Sequence, residues 1–141
     1  MRNKHSFSKY KRTIRGLHHQ LSPKAETRIV RCFSGAIWDV ILDLRINSPT
    51  FGNWHGEKIS ERNRRMIYIP KGFAHGFLTL EENTEVLYLT TELYSSNHER
   101  VIRWNDPHFS INWPLKPKVI SSKDKNAIDF DDNYHLGSVV K

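Results

Sequence analysis

The sequence predicts an all-β domain of the sandwich or jelly-roll class, with one short helix near its C-terminus. Three observations carry that prediction. Apolar and polar residues alternate with a period of two through much of the chain, as in strands that lay one face on a core. The candidate strands are short and regularly spaced, and clusters of Asn, Gly, Pro and Ser separate them. The length of 141 residues suits one compact domain, whose core needs no disulfide or structural metal.

Taken in order, residues 1–12 read as a basic N-terminal stub, a solvated arm or an anion-binding edge. Thr13 to Gln20 is the first candidate strand, and on it the adjacent His18 and His19 point to opposite faces. Glu26 to Phe33 is the second. In the third, Trp38, Val40, Leu42 and Leu44 fall on one face while Asp39, Ile41 and Asp43 fall on the other. The turn-rich stretch from Asn47 to Asn53 ends it. Trp54 to Ile59, Arg65 to Ile69, Phe77 to Leu80 and Glu85 to Thr91 follow, divided by Glu61 to Arg64, Pro70-Lys71-Gly72 and Glu81 to Thr84. The helix starts after Ser121 or Ser122 as N-cap and runs through Lys123 to Ala127. Beyond it the polar tail, residues 129–141, is expected to be flexible. The whole of 1–141 reads as a single domain, without repeats or low-complexity tracts.

Lys and Arg number 22 against 15 Asp and Glu, a formal charge of +7. The excess is local. Met1 to Arg31 holds nine basic residues and Glu26 as its one acid, and the remaining 110 residues are close to neutral. A basic edge invites nucleic acid as a partner, yet the aromatics form no stacking platform on adjacent strands and no nucleic-acid motif occurs. The longest apolar stretch, Ala36 to Leu44, is interrupted by two aspartates, so no membrane partner is expected. A lone cysteine, Cys32, and the lack of an apolar leader behind Met1 to Thr13 point to a reducing cytoplasm.

Pro70-Lys71-Gly72-Phe73-Ala74-His75 forms a Pro-x-Gly-x-x-His turn leading into a strand, a pattern that recurs in cupin jelly rolls. There the histidine often ligates a metal together with a His-x-His. No His-x-His occurs here, and His18 and His19 cannot chelate together, so no metal site and no cofactor are expected.

A larger constellation appears in one order: Arg15-Gly16-Leu17-His18-His19-Gln20, Ser48-Pro49-Thr50-Phe51-Gly52, the Ile69 to Phe77 turn, Tyr88 with Tyr94, Ile102-Arg103-Trp104-Asn105-Asp106-Pro107 and Ser121-Ser122-Lys123-Asp124. From about His5 to Ala127 the chain resembles the dTDP-4-dehydrorhamnose 3,5-epimerases, cupin-fold enzymes that invert the C3 and C5 centres of a 4-keto-6-deoxy nucleotide sugar. The resemblance implies a cupin-type jelly roll of two antiparallel sheets and a cofactor-independent isomerase. Its substrate would be a nucleotide-linked 4-keto-6-deoxy sugar for bacterial surface polysaccharide, and its assembly a homodimer.

Such chemistry needs a base for a weakly acidic carbon proton, a stabiliser for the enolate, and an acid on the opposite face. By resemblance His18 is the base, Asp124 the carboxylate that pairs with it, and Tyr88 the acid. Arg28 stands where the family has a lysine, in a Gln-Gly-Lys segment that here reads Glu26-Thr27-Arg28, and would hold the enolate oxygen. His75 is either a substrate or oxyanion contact or a buried turn histidine. Tyr94 would stack on the base, with Arg15, Glu99 and Lys123 as further substrate-binding residues. Trp104, Trp113, Phe33 and Phe51 read as core or interface.

The chain also departs from the pattern. The family's Asn-His-Ser reads Lys4-His5-Ser6, and its usual aromatic after the base histidine is His19. Full-length members carry a few tens of residues more at the N-terminus, exchanged with a neighbouring subunit, so an open sheet edge and a rearranged dimer are expected. The alternatives are a C3-only epimerase on a CDP-linked sugar and a non-catalytic sugar-nucleotide-binding module.

Overall fold

A computed structural model describes residues 2–137, and its strands form two sheets that pack face to face. The strands are β1 (Arg2–Ser8), β2 (Thr13–Gln20), β3 (Arg28–Ser34), β4 (Ala36–Asp43), β5 (Trp54–Ser60), β6 (Met66–Ile69), β7 (Phe73–Thr79), β8 (Thr84–Thr90), β9 (Glu99–Val101) and β10 (Val119–Ile120). Two short helices follow, α1 (Ser122–Lys125) and α2 (Asp132–Leu136). One sheet has the order β1-β8-β3-β6. The other runs β10-β2-β7-β4-β5, with β9 also on β2. The pairing is antiparallel except between β10 and β2, which agrees with the expected jelly roll. No helix among the described residues is long and apolar enough to cross a membrane.

Two apolar clusters hold the layers. Val30, Cys32, Ile69 and Val86 of the first sheet meet Ile37, Ile59 and Phe77 of the second. On the outer side of the second sheet, Leu17, Val40, Leu42 and Ala74 are covered by Ile102, Phe109, Trp113, Phe130 and Leu136 from the C-terminal third. The second sheet is therefore buried on both faces. That explains why β7 begins at Phe73, four residues before the sequence reading placed it: all but its first residue are buried, so the strand has no polar alternation to announce it. It also explains why Asp39 and Asp43, taken as an outward face, are wholly buried.

Two segments differ from expectation. Within the basic stub, Arg2–Ser8 is a strand paired with β8 over its full length, from Arg2 opposite Thr90 to Ser8 opposite Thr84. This strand itself forms the edge of the first sheet. Its inward residues are polar, Lys4 and Ser6 because they border a cavity and Ser8 because its buried hydroxyl accepts from Arg15, and that concealed the strand in the sequence. Within the tail, α2 is capped by the Asp131 side chain, which accepts from the Asn133 N–H. His135 anchors it, buried and donating from Nε2 to the Val101 carbonyl at 2.9 Å. Residues 138–141 of the tail lie outside the described residues.

Candidate active site

The site begins with an irregularity in β2. Arg15 lies opposite Phe77 and His18 opposite His75, so Gly16 and Leu17 together face the single residue Gly76. This is a bulge, one extra residue in a strand. Gly16 adopts φ +104°, and a Cβ there would lie 2.6 Å from the His75 carbonyl oxygen and 2.8 Å from the Gly76 Cα, so only glycine fits. Plain alternation would put residues three apart on opposite faces. With the bulge, Arg15 and His18 both face the space between the sheets, while Leu17 and His19 face the outer cluster.

Asp124 meets His18 there. Ser121 caps α1, its Oγ accepting the Asp124 N–H at 3.2 Å, and this aims the carboxylate back at the bulge. Oδ1 lies 2.7 Å from His18 Nε2, and Oδ2 accepts the Gly16 N–H at 3.0 Å. Burial alone would raise the Asp124 pKa. The hydrogen bond and charge of His18, with Gly16 and Lys123, outweigh it and hold the carboxyl below its ordinary range. An ionised Asp124 keeps a proton on Nε2 of His18, leaving Nδ1 as the basic atom of a ring that is 24% exposed.

Tyr88 faces this pair from the other sheet. It stands on β8, opposite Lys4 of β1 and Val30 of β3. Burial pushes its hydroxyl pKa up, against the opposing charges of Arg28 and Arg15. A cavity of about 670 Å3 separates the two walls, lined by Lys4, Arg15, His18, Tyr88, Lys123 and Asp124 among others. Among the described residues Arg15 donates only to neutral acceptors, Ser8 Oγ at 3.2 Å and the Phe7 carbonyl at 3.1 Å, which leaves its charge without a carboxylate partner there.

Arg28 and His75 do not line this cavity but pack against Tyr88. The Arg28 guanidinium carbon lies 5.6 Å from the Tyr88 ring centroid, and the His75 ring meets Tyr88 edge-on at 6.1 Å. His75 Nε2 is 2.7 Å from Asp39 Oδ1, and its Nδ1 is 3.2 Å from Arg28 Nη1. Arg28 also binds Glu26 Oε1, through Nε at 2.8 Å and through Nη2. Sequence reasoning missed Asp39 and Glu26. The signal for Asp39 was a carboxylate in the middle of an otherwise apolar strand, an expensive placement unless it has a partner.

Tyr94, Glu99 and Lys123 gather at a neighbouring cavity of about 480 Å3, and Lys123 lines both. Glu99 Oε1 accepts from Lys123 Nζ at 2.7 Å and from the Tyr94 hydroxyl at 3.2 Å. Lys4 Nζ lies 5.5 Å over the Tyr94 ring. All nine residues expected from sequence thus lie in one connected region. A third cavity, on the far side of β2 beside His19, Arg45 and Ser48, contains none of them. No three of His, Cys, Asp and Glu come together as a metal-binding group among the described residues.

The fold and the facing His-Asp pair and tyrosine define a cupin-type jelly-roll protein with an acid-base cavity between its sheets. Residues 1–132 match the model of the dTDP-4-dehydrorhamnose 3,5-epimerase family, and the chain belongs to that family. It is 48% identical over 120 residues to the dTDP-4-dehydrorhamnose 3,5-epimerase of Pseudomonas aeruginosa, covering 84% of this chain and 66% of that one. The crystal structure of the Bacillus anthracis enzyme with TDP and PPi bound superimposes with a TM-score of 0.90 at 44% identity, covering 92% of this chain and 74% of that one. The Legionella pneumophila enzyme in complex with dTDP-4-keto-L-rhamnose gives 0.85 at 40% identity, covering 90% and 67%. The chain spans about two thirds or less of the length of the curated relatives it matches, from 40% of the Neisseria gonorrhoeae protein to 69% of the Salmonella typhimurium one.

Proposed function

We propose that this chain is a cofactor-independent epimerase that inverts C3, or C3 and C5, of a nucleotide-linked 4-keto-6-deoxy sugar. One observation carries the reading: His18, backed by Asp124, and Tyr88 stand on opposite sheets across one cavity. Inversion requires a base on one face of a carbon and an acid on the other. In the proposed step the free nitrogen of His18 takes the proton from the carbon beside the ketone, and the electron pair moves onto the carbonyl oxygen as an enolate. The Tyr88 hydroxyl then gives its proton to the opposite face of that carbon. Solvent returns a proton to the phenolate and accepts one from His18, so the cycle closes without change of oxidation state.

The charge of Arg28, held against Tyr88, favours an anion on the ring side of the cavity. Arg15 and Lys123 suit a diphosphate, and the half-exposed Tyr94 suits stacking of a base, with Glu99 fixing both Lys123 and Tyr94. Glu99 is held below its ordinary pKa chiefly by Lys123 against the effect of burial, so it is a charged partner at neutral pH. The dTDP-sugar and TDP complexes of the relatives support a dTDP-linked substrate. Homodimerisation is supported by the outer face of the first sheet, where Phe7, Phe33, Met66 and Tyr68 are exposed. A cytoplasmic setting is supported by the single buried thiol of Cys32.

The test is solvent exchange. With dTDP-4-keto-6-deoxyglucose in D2O, deuterium should enter at C3, alone or with C5, and His18→Asn should reduce the rate by at least 100-fold. No label at either carbon, with dTDP- or CDP-linked sugar, sinks the proposal.

A further inference from the structure

Glu26 is a carboxylate placed where a carboxylate is costly. Its side chain is 4% exposed, and among the described residues its one hydrogen-bond partner is Arg28, itself 11% exposed. A single oxygen, Oε1, takes both Nε and Nη2 of the guanidinium, and Oε2 has no hydrogen-bond partner among the described residues. This grip holds one edge of a planar group, and a planar group held along one edge has its remaining donors aimed. Nη1 points at His75 Nδ1, 3.2 Å away.

Guanidinium only donates, so Nδ1 must receive with its lone pair, and the imidazole proton must sit on Nε2. Nε2 lies 2.7 Å from the Asp39 carboxylate, which accepts it. Glu26, Arg28, His75 and Asp39 thus form a buried chain of fixed donor order. A second proton on His75 would set N–H against N–H at Arg28. Tyr88 rests against two members of this chain, below Arg28 and beside His75.

We propose that Glu26 is a positioning residue of this site: by gripping Arg28 it fixes the His75 tautomer and the surface on which Tyr88 rests. The catalytic part of this inference rests on the epimerase reading, in which Tyr88 returns the proton; the tautomer part does not.

The experiment has two arms. Long-range proton-nitrogen correlation spectra of the uniformly 15N-labelled wild-type chain at pH 8 should show the neutral His75 ring with its proton on Nε2. Kinetics on the 4-keto sugar nucleotide should give a Glu26→Gln variant with kcat reduced at least tenfold and KM within twofold. Arg28→Lys should be slowed similarly, and the double variant should be no slower than the slower single, since a broken grip cannot be broken again. A wild-type His75 protonated at Nδ1 overturns the proposal and needs no variant to fold. So does a Glu26→Gln enzyme within twofold of wild type, or a double variant whose losses multiply. Should the wild-type protein exchange no substrate proton, the epimerase reading fails, and His75 spectra of the wild type beside Glu26→Gln still decide whether Glu26 sets the tautomer, a distribution unchanged in the variant overturning it.

Discussion

At His18 and His19, adjacent imidazoles meet different surroundings. His18 has a carboxylate on one nitrogen and a cavity at the other, whereas His19 is packed on the outer side of β2 with Nε2 2.8 Å from the His135 carbonyl. Burial lowers the His19 pKa from 6.5 to about 4. Above pH 6.5 both the folded and the unfolded chain hold this residue neutral, and its contribution is fully present. As pH falls from 6.5 towards 4 the unfolded chain binds a proton that the folded chain refuses, and stability falls by roughly 3 kcal/mol. Urea denaturation at stepped pH should show that slope, and His19→Phe should flatten it. Asp124 acts in a lower window. Its folded pKa is depressed, so its contribution is present above the ordinary carboxylate pKa and is lost as pH falls through the folded value. Asp124→Asn should leave KM nearly unchanged while kcat drops by about 10²- to 10⁴-fold, because an amide no longer favours the imidazolium; unchanged kcat would separate Asp124 from the base.

Among the elements, β2 depends on one glycine. Gly16→Ala forces a Cβ into the backbone of β7 at a φ that L-residues avoid, and should cost about 3 kcal/mol or more of stability, read as a lower denaturation midpoint. A wild-type midpoint would mean that the bulge has room to spare. β2 and the N-cap of α1 were legible in the sequence because Thr13–Gln20 is bounded by turn residues and Ser121 precedes a helical turn. The bulge inside β2 was not, since nothing in Arg-Gly-Leu-His distinguishes a bulged glycine from a paired one. β1 and α2 were missed for opposite reasons. The inner face of β1 is polar where it meets a cavity, and α2 is a five-residue helix held by tertiary contacts of His135. The members of the site were legible one by one. Asp39 and Glu26 escaped because a buried carboxylate looks like a surface one until its partner, 36 residues away for Asp39, is brought beside it.

In the molecule as a whole, the +7 charge of the chain resolves into parts. Arg15 and Lys4 border the cavity, Arg28 is ion-paired with Glu26 behind Tyr88, and Arg12 is tied to the Lys116 carbonyl at 2.8 Å. The outer face of the first sheet carries another message. Its strands bury Val30, Cys32 and Val86 inward, so Met66 and Tyr68 on β6 and Phe33 on β3 are turned out, with His5 of β1 packed against Phe33 at 5.5 Å. If that face joins two copies, sedimentation should give twice the chain mass, and Tyr68→Glu with Phe33→Glu should give monomers; wild-type monomers at micromolar concentration would leave the face without a second copy. The bulge at Gly16 has one consequence at this scale. It acts as a frameshift in space: residues before it and after it obey separate alternations, joined by a single extra residue. Straightening the strand while keeping all of its residues would turn His18 towards the C-terminal cluster and His19 towards the cavity, whereas deleting the extra residue together with the bulge would keep Arg15 and His18 on one face. The extra residue and the bulge therefore have to come and go together, a coupling of strand length to side-chain facing that no substitution at the same positions would reveal.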